Sequence, residues 1–311
     1  MGADKHDHQK IKDELAAIAG HCGLRLDPHR MELNETGMDF RVAFATDYEG
    51  TDWVLRSPRR PDVWERAENE HKALLFIRDK LPIDVPNWRI VTRELIAYPL
   101  LNGTPVATVD PSGGGYLWQQ DQQALPDVFF DSLAEALAAL HGIDQDAAAK
   151  AGIRIKGPDE ARKEFSSNIE DIKHSLAIPS KVQERWDKWL STDSYWPEHS
   201  TINHGDLHPP HILVDPSQRV TGFIDWSEAE GADPGKDFTI YLGLFGPEGL
   251  RDLLQRYERF GGQVWPRMHE HIVEQWAAYP ALVAKFALLA GDDAVMELAK
   301  GMITELEHDL K

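Results

Sequence analysis

The sequence predicts an α+β protein of two lobes: a small N-terminal lobe with a five-stranded antiparallel sheet plus one helix, and a larger, mainly helical C-terminal lobe. Two observations predict this class. Between residues 31 and 99, apolar side chains alternate in short runs separated by Gly, Asp and Pro turns, which is typical of an antiparallel meander. Beyond residue 127, apolar side chains recur mostly at helical spacing. With 311 residues the chain is long enough for both lobes, which we place at 1–101 and 102–311.

The N-terminal lobe begins with a short amphipathic helix, predicted over residues 10–22, and continues as three strands. The first strand, from Met31, is broken by a turn at Gly37, and the second runs from Phe40 to Ala45. A turn at 47–50 leads into a third strand, 52–56. The turn at Gly37 is compatible with a loop over nucleotide phosphates, and equally with an ordinary turn.

One helix and two further strands complete this lobe. Pro61 suits the first turn of a helix, whose apolar stripe runs to Leu81. Arg56 ends the third strand, where protein kinases carry a phosphate-binding Lys, and Glu70 lies on the helix where it can pair with Arg56. Surface positions are the alternative for both. The last strands are predicted at 88–91 and 95–98.

The C-terminal lobe follows a loop-like connection over residues 104–126. Its glycine run, 110–115, has no Lys-Ser/Thr after it and is therefore not a phosphate-binding P-loop. Periodicity predicts helices at 128–141, 158–175, 179–191, 237–245, 247–260 and 265–310, the last broken near Pro280 and Gly291. The helices at 158–175 and 179–191 are the more polar ones, and we expect them on the surface.

A cluster of ionisable side chains lies between residues 201 and 225. Asp206 follows a glycine, and His211 comes five residues later. Apolar runs at 211–214 and 219–223, joined by a turn, predict a hairpin that leads into Asp225. Because a hairpin would hold these three side chains at one end of a rigid scaffold, we predict that the segment forms the functional site.

Two chemistries and one structural alternative fit this cluster. In phosphoryl transfer, a metal ligand follows the catalytic Asp by five residues and a second metal Asp lies on a downstream turn, as His211 and Asp225 do here. A metal-dependent hydrolase would instead bind Zn²⁺ or a metal pair through His204, Asp206, His208 and His211. A polar loop with locally satisfied histidines is the third interpretation. We favour phosphoryl transfer because it also accounts for the five-stranded lobe and for Arg56.

Composition narrows the partners and the compartment. Acidic residues number 52 against 33 basic ones, a formal net charge of −19, which excludes nucleic acid and anionic membranes as partners. The single cysteine, Cys22, excludes an internal disulfide and fits a reducing compartment. The first residues carry no apolar signal sequence, and no apolar run has the length of a membrane span. We therefore expect a cytoplasmic protein, and a monomer.

Four segments resemble the aminoglycoside-kinase-like superfamily of antibiotic phosphotransferases, and within it the macrolide 2′-phosphotransferases. They are Leu33–Arg41, Trp53–Arg60, His204–Leu207 together with His211, and Ile224–Ala229. The resemblance covers nearly the whole chain and implies a bilobal, protein-kinase-like fold. The superfamily usually has Asn where this chain has His211, whereas the macrolide branch is similar to this sequence in carrying His.

The resemblance implies transfer of a nucleotide γ-phosphate, with GTP preferred over ATP, to the 2′-hydroxyl of the desosamine sugar of a macrolide. In that reaction Asp206 accepts or orients the hydroxyl, and His211 and Asp225 hold Mg²⁺ against the phosphates. Arg56, paired with Glu70, steadies the phosphates.

Two further roles concern the nucleotide base and the catalytic loop. The purine base is expected along Tyr98 to Leu100, where Pro99 offers no N–H. Asp237 resembles the structural carboxylate that braces the catalytic loop of the family.

A macrolide is large and apolar with one dimethylammonium, so its pocket needs apolar walls and a nearby carboxylate. The candidates are two acids and five aromatic residues, each of which is more often structural than ligand-binding: Asp39, Asp233, Tyr241, Phe245, Trp276, Tyr279 and Phe286. The alternative within the class is a kinase of another small alcohol, such as an aminoglycoside or choline. An aminoglycoside pocket would be lined with acids, and the late helices carry few of them on their aromatic faces.

Overall fold

The computed structural model describes residues 2–35, 37, 39–112 and 115–310, with side chains from residue 7 onward. Two residues of the predicted glycine turn, Thr36 and Met38, lie outside the described residues. So do Gly113 and Gly114 of the glycine run.

The described part of the chain contains both helices and strands, as the predicted α+β class requires. The helices, numbered in chain order, are α1 (Gly2–His21), α2 (Val63–Ile77), α3 (Asp127–His141), α4 (Gln145–Lys150), α5 (Pro158–Lys173), α6 (Ser180–Ser191), α7 (Lys236–Arg259), α8 (Met268–Ala290) and α9 (Asp293–Asp309). The strands are β1 (Glu32–Asn34), β2 (Phe40–Thr46), β3 (Asp52–Pro58), β4 (Ile90–Val91), β5 (Ile96–Pro99), β6 (Thr104–Pro105), β7 (Ala107–Val109), β8 (Tyr116–Trp118), β9 (Thr201–Asn203), β10 (Ile212–Val214), β11 (Val220–Phe223) and β12 (Glu230–Ala232).

The chain divides into two compact units, and the division differs from the predicted boundary after residue 101. The N-terminal unit comprises Met1–Gln119 and Pro210–Ser227, and the C-terminal unit comprises Gln120–Pro209 and Glu228–Lys311. The hairpin of β10 and β11 therefore belongs to the N-terminal unit, although it lies far along the chain. Hydrogen bonds explain this assignment, because β10 pairs with β6 and the amide of Phe223 donates to the carbonyl of Asp84.

The N-terminal unit is organised around the predicted five-stranded antiparallel sheet, which the structure confirms. The strand order is β1-β2-β3-β5-β4. In the central strand, Arg56 stands opposite Val42 on β2 and Ile96 on β5. Leu15 and Ala19 of α1 pack on one face of the sheet in a single apolar cluster with other buried residues. Because successive strand residues point to opposite faces, β2 directs Ala43 and Ala45 into this core and β3 directs Leu55.

The C-terminal unit packs most of its helices around a second apolar cluster. Its largest fully buried members are Trp186 and Trp189 of α6, and α8 contributes small buried alanines. The helix predicted at 179–191 therefore contributes two large core side chains in spite of its many charges. The short strands β9 and β12 pair antiparallel, with Asn203 opposite Glu230, and the segment that carries Asp206 follows β9 directly.

Three local predictions need correction. The connection at 104–126, predicted as a loop, contains the strands β6, β7 and β8, each of two or three residues and too short to leave a recognisable pattern. Helix α8 continues through Pro280, because the buried alanines on either side hold it in the core. The predicted interruption at Gly291 is present, since this residue ends α8 in a left-handed conformation with φ 66°. Helix α1 begins at Gly2 rather than at residue 10.

Helix α7 corresponds to the two helices predicted at 237–245 and 247–260. Gly246 has non-helical dihedral angles, φ 70° and ψ −178°, and it produces a kink immediately before Pro247. Among the described helices, none combines the length and the apolarity of a membrane span.

Candidate active site

Arg56 and Glu70 form a buried ion pair in the N-terminal unit. The guanidinium Nη1 of Arg56 lies 2.7 Å from Oε1 of Glu70, and the two side chains are 8% and 0% exposed. The guanidinium also lies 4.2 Å from the ring centroid of Phe40. Burial acts to lower the pKa of Arg56, but the surrounding negative charges, that of Glu70 first, together with the hydrogen bond to Glu70 raise the pKa, so Arg56 stays charged. The pair expected from the sequence is therefore present.

Asp225 presents its carboxylate from the residue pair that follows β11. Its backbone lies in the left-handed region, φ 62°, which is uncommon for a residue other than glycine and is typical of a functional constraint. The side chain is 42% exposed, and Oδ2 lies 3.8 Å from Nε2 of His211. The amide of Ile224 donates to the carbonyl of His211, which fixes the two residues relative to each other.

The charges of Asp225, Arg56 and Glu70 influence one another. Burial raises the pKa of Glu70; Arg56 opposes this rise and Asp225 adds to it. Burial also raises the pKa of Tyr98, which lies on β5 beside the strand that carries Arg56. These four side chains, all in the N-terminal unit, form one electrostatic cluster. The cluster combines a fixed cation with a partly exposed carboxylate, as phosphate and metal binding require.

The end of β5 offers less to a nucleotide base than the sequence predicts. Tyr98 is buried and stands opposite Val54 in the sheet. The amide of Leu100 donates to the carbonyl of Asp52 and is therefore engaged. The Leu100 side chain is 46% exposed. Leu100 can therefore offer an apolar contact here, but its amide is already committed to the sheet.

In the C-terminal unit, Asp237 holds the backbone of the loop that leads to Asp206. Its Oδ2 accepts the amide of His204 at 2.9 Å and its Oδ1 accepts the amide of Gly205 at 2.8 Å. His141 lies 3.2 Å from Oδ2 through Nε2. Burial would raise the pKa of Asp237, but the hydrogen bonds from His141 and from the Gly205 amide hold it below its usual range. These contacts support the bracing role that the family resemblance implies for Asp237, which stays a prediction.

Gly205, immediately before Asp206, makes a close approach that excludes a side chain. Its φ is +86°, and a Cβ at this position would lie 2.2 Å from the carbonyl oxygen of Glu228. Only glycine fits, since both the conformation and the space exclude a side chain. The resulting tight loop leaves the side chain of Asp206 exposed.

Asp206 lies on the wall of a cavity of about 270 Å³ within the C-terminal unit. Much of the lining is apolar, with the side chains of Phe165, Leu207, Ile240, Tyr279 and Leu282. The charged residues of the lining are Lys156, Glu164, Glu230, Asp233 and Lys236. Burial raises the pKa of the Tyr279 phenol, and the negative charge of the nearby Asp206 raises it further. An apolar wall beside an exposed carboxylate suits a largely apolar alcohol.

Of the seven residues predicted for the acceptor pocket, Tyr279 and Asp233 line this cavity. Asp233 is buried, and its Oδ2 lies 2.7 Å from Nε2 of His271 and 3.0 Å from the amide nitrogen of Gln275, so it is already bonded within the protein. Trp276 lies behind the lining and stacks on Tyr279 with a centroid distance of 5.4 Å.

The other four predicted pocket residues have different surroundings. Tyr241 and Phe245 pack edge-on against Phe130 of α3. Phe286 is 50% exposed near the end of α8. Asp39 belongs to the N-terminal unit, where its oxygens bind Arg60 and Arg66 at 2.9 Å and 2.7 Å. Aromatic character alone did not separate pocket wall from core.

Sequence reasoning missed most of the charged lining and part of the apolar wall. Lys156 precedes α5, and both Glu164 and Phe165 lie on it, in a segment with no motif. Glu230 and Lys236 lie within seven residues of Asp233. Their proximity to the Asp233–Asp237 segment was the only signal that would have identified these two.

Comparison with known proteins places the chain among phosphotransferases. The model of the Phosphotransferase enzyme family matches residues 30–271. The "Uncharacterized protein YcbJ" of Bacillus subtilis strain 168 is 46% identical over 293 residues, which are 94% of this chain and 96% of that protein.

Solved structures narrow the likeness. The chain is similar to macrolide 2′-phosphotransferase type I, with 39% identity, a TM-score of 0.84 and coverage of 94% of this chain and 96% of that one. It is also similar to the apoenzyme of macrolide 2′-phosphotransferase MphH from Brachybacterium faecium, with 38% identity, a TM-score of 0.85 and coverage of 94% and 98%. A wild-type aminoglycoside 2′-phosphotransferase-IIIa, 18% identical with a TM-score of 0.76 over 97% and 99% of the chains, shares the fold.

Proposed function

Because the chain belongs to the phosphotransferase enzyme family, we propose that it transfers the γ-phosphate of a purine nucleotide to the 2′-hydroxyl of the desosamine sugar of a macrolide antibiotic. The observation that carries the proposal is the cavity in the C-terminal unit, where Asp206 stands beside an apolar wall. The similarity to two macrolide 2′-phosphotransferases over 94% of the chain supports it independently. Family membership also favours phosphoryl transfer over the hydrolase alternative.

Asp206 is the proposed catalytic residue, which accepts or orients the proton of the acceptor hydroxyl. Phosphoryl transfer requires mainly positioning and charge neutralisation, so the position of this carboxylate matters more than its basicity. The loop that carries it is held on its N-terminal side: Asp237 binds the amides of His204 and Gly205, and β9 pairs with β12. These contacts make the orientation of Asp206 independent of the substrate.

His211 and Asp225 are the proposed ligands of Mg²⁺. The donor set fits this ion, because Mg²⁺ keeps several waters and takes one or two carboxylates plus substrate phosphates. Asp225 provides such a carboxylate, partly exposed, while the imidazole of His211 is a softer ligand than the ion prefers. Bound Mg²⁺ would neutralise charge on the β- and γ-phosphates.

The nucleotide is proposed to bind the N-terminal unit. Arg56 offers a cation whose position is fixed by Glu70, and the exposed side chain of Leu100 offers apolar contact for the base. On the family resemblance we propose GTP rather than ATP as the donor. We also propose that the enzyme acts as a cytoplasmic monomer, which size-exclusion chromatography with light scattering would test for the assembly.

The decisive experiment incubates the purified protein with erythromycin, Mg²⁺ and either GTP or ATP labelled in the γ-phosphate. We expect label in the drug, mapped by mass spectrometry to the desosamine, with GTP the better donor. Kanamycin and choline serve as parallel acceptors. Transfer to kanamycin or choline but not to any macrolide would overturn the proposed acceptor and leave the phosphotransferase assignment intact.

A further inference from the structure

The charged residues in the lining of the acceptor cavity are largely committed to one another. Four carboxylates face two ammonium groups: Asp206, Glu164, Glu230 and Asp233 against Lys156 and Lys236. Asp233 is bonded to His271 and Gln275 in the interior. Since the proposed function assigns Asp206 to the acceptor hydroxyl, the number of cations that the cavity can take from an acceptor depends on Glu164 and Glu230.

Lys156 occupies both of these carboxylates. Its Nζ lies 2.8 Å from Oε2 of Glu164 and 2.9 Å from Oε1 of Glu230. Lys236 adds a longer contact to the same Glu230 oxygen, at 3.5 Å. Glu230 is 13% exposed and has two cationic partners, whereas Glu164 is 54% exposed and has one. Glu164 is thus the carboxylate of this pair that an incoming cation can still reach.

The position of Lys156 is fixed by its backbone and its charge. Its amide donates to the carbonyl of Gly231 at 2.7 Å, and its carbonyl accepts the hydroxyl of Ser200 at 2.6 Å. Burial would lower the pKa of Lys156, but the hydrogen bonds that its ammonium donates to Glu164 and Glu230 raise it, so the ammonium stays charged. Of the two backbone partners, Gly231 lies in β12, and Ser200 directly precedes β9.

We propose that Lys156 determines which acceptors the cavity binds. Because it pairs with both Glu164 and Glu230, one ammonium group can still be bound, at Glu164, and acceptors that carry several are excluded. The inference rests on the proposed function and deepens it: the pocket fits an apolar acceptor with a single amine, such as a macrolide. Aminoglycosides carry several ammonium groups and would need carboxylates that Lys156 keeps occupied.

The test compares kanamycin binding, by calorimetry, to the wild-type protein and to Lys156→Met. We expect kanamycin to bind the variant at least about fivefold more tightly, because two carboxylates are released toward the cavity. Lys163→Met changes an exposed residue of α5, the helix that follows Lys156, makes the same change in net charge outside the cavity lining, and should bind kanamycin as the wild type does. Lys156→Arg retains the positive charge and should continue to exclude kanamycin.

A second variant keeps the proposal testable if Lys156→Met fails to fold. Glu164→Gln alters a half-exposed side chain and should raise the KM for erythromycin about fivefold with little change in kcat, since it removes the carboxylate that one amine can reach. Unchanged kanamycin binding by folded Lys156→Met, or an unchanged erythromycin KM in Glu164→Gln, would overturn the inference. A wild-type protein that phosphorylates no macrolide would refute the proposed function instead, and the kanamycin binding comparison would still decide the role of Lys156.

Discussion

Replacing Gly205 by alanine should inactivate the enzyme by moving the catalytic loop. The new Cβ would lie 2.2 Å from the carbonyl oxygen of Glu228 and 2.9 Å from its carbon, both of them backbone atoms that no rotamer change can move away. A relaxed contact between carbon and oxygen is about 3.3–3.6 Å, so the loop has to shift by about 1 Å. A displacement of that size at a reacting group costs about 10²-fold in rate.

The same substitution also carries a conformational cost. Gly205 has φ +86°, and a left-handed conformation costs a residue with a Cβ about 1–2 kcal/mol. Gly261→Ala is the matched control, because Gly261 has φ +95° and a Cβ there meets no described atom within 4 Å. We expect both variants to lose the stability that the left-handed conformation costs, and Gly205→Ala to lose more because of its backbone clash, while only Gly205→Ala loses about 10²-fold in kcat with erythromycin. Equal kcat values in the two variants would refute the argument that the close approach at Gly205 positions Asp206.

Three further predictions concern the charged residues. Asp206→Asn should lower kcat by about 10²-fold or more, while calorimetry should still show that both ligands bind. Retained turnover would mean that another group orients the acceptor hydroxyl. Asp225→Ala should lose activity that excess Mg²⁺ does not restore, whereas His211→Asn, which offers a harder ligand, should keep measurable activity. Interactions in the folded state hold the pKa of Asp237 below its usual value of 3.8. The wild type should therefore be more stable than Asp237→Asn, with the full difference above pH 3.8 and a declining difference as the pH falls below 3.8. Denaturant unfolding of the two proteins at several pH values measures this difference, and a constant difference would contradict it.

The sequence by itself determined the elements whose signals are local. Alternating apolar side chains predicted β2 and β3, and helical spacing predicted α3 and α5 close to their observed bounds. Two apolar runs joined by a turn predicted the hairpin of β10 and β11, and with it the proximity of His211 and Asp225. In each case the residues that specify the structure are neighbours along the chain.

The motif around Asp206 was also visible in the sequence, but the reason for its rigidity was not. Asp237 binds the amides of His204 and Gly205 across more than thirty residues of sequence. The steric need for glycine at Gly205 arises from the carbonyl of Glu228, which no local pattern reveals.

Only the tertiary structure decided which side chains form the acceptor cavity. Aromatic residues of α7 and α8 are equally suited to a core and to a pocket wall, so composition left Tyr241 and Tyr279 alike; the first packs against Phe130, while the second lines the cavity. Asp39 seemed free to bind a cation until the folded chain supplied Arg60 and Arg66 as its partners. Lys156 and Glu164, from a segment without a motif, became important because packing placed them opposite Glu230, and a buried charge takes its role from the partners that the fold provides.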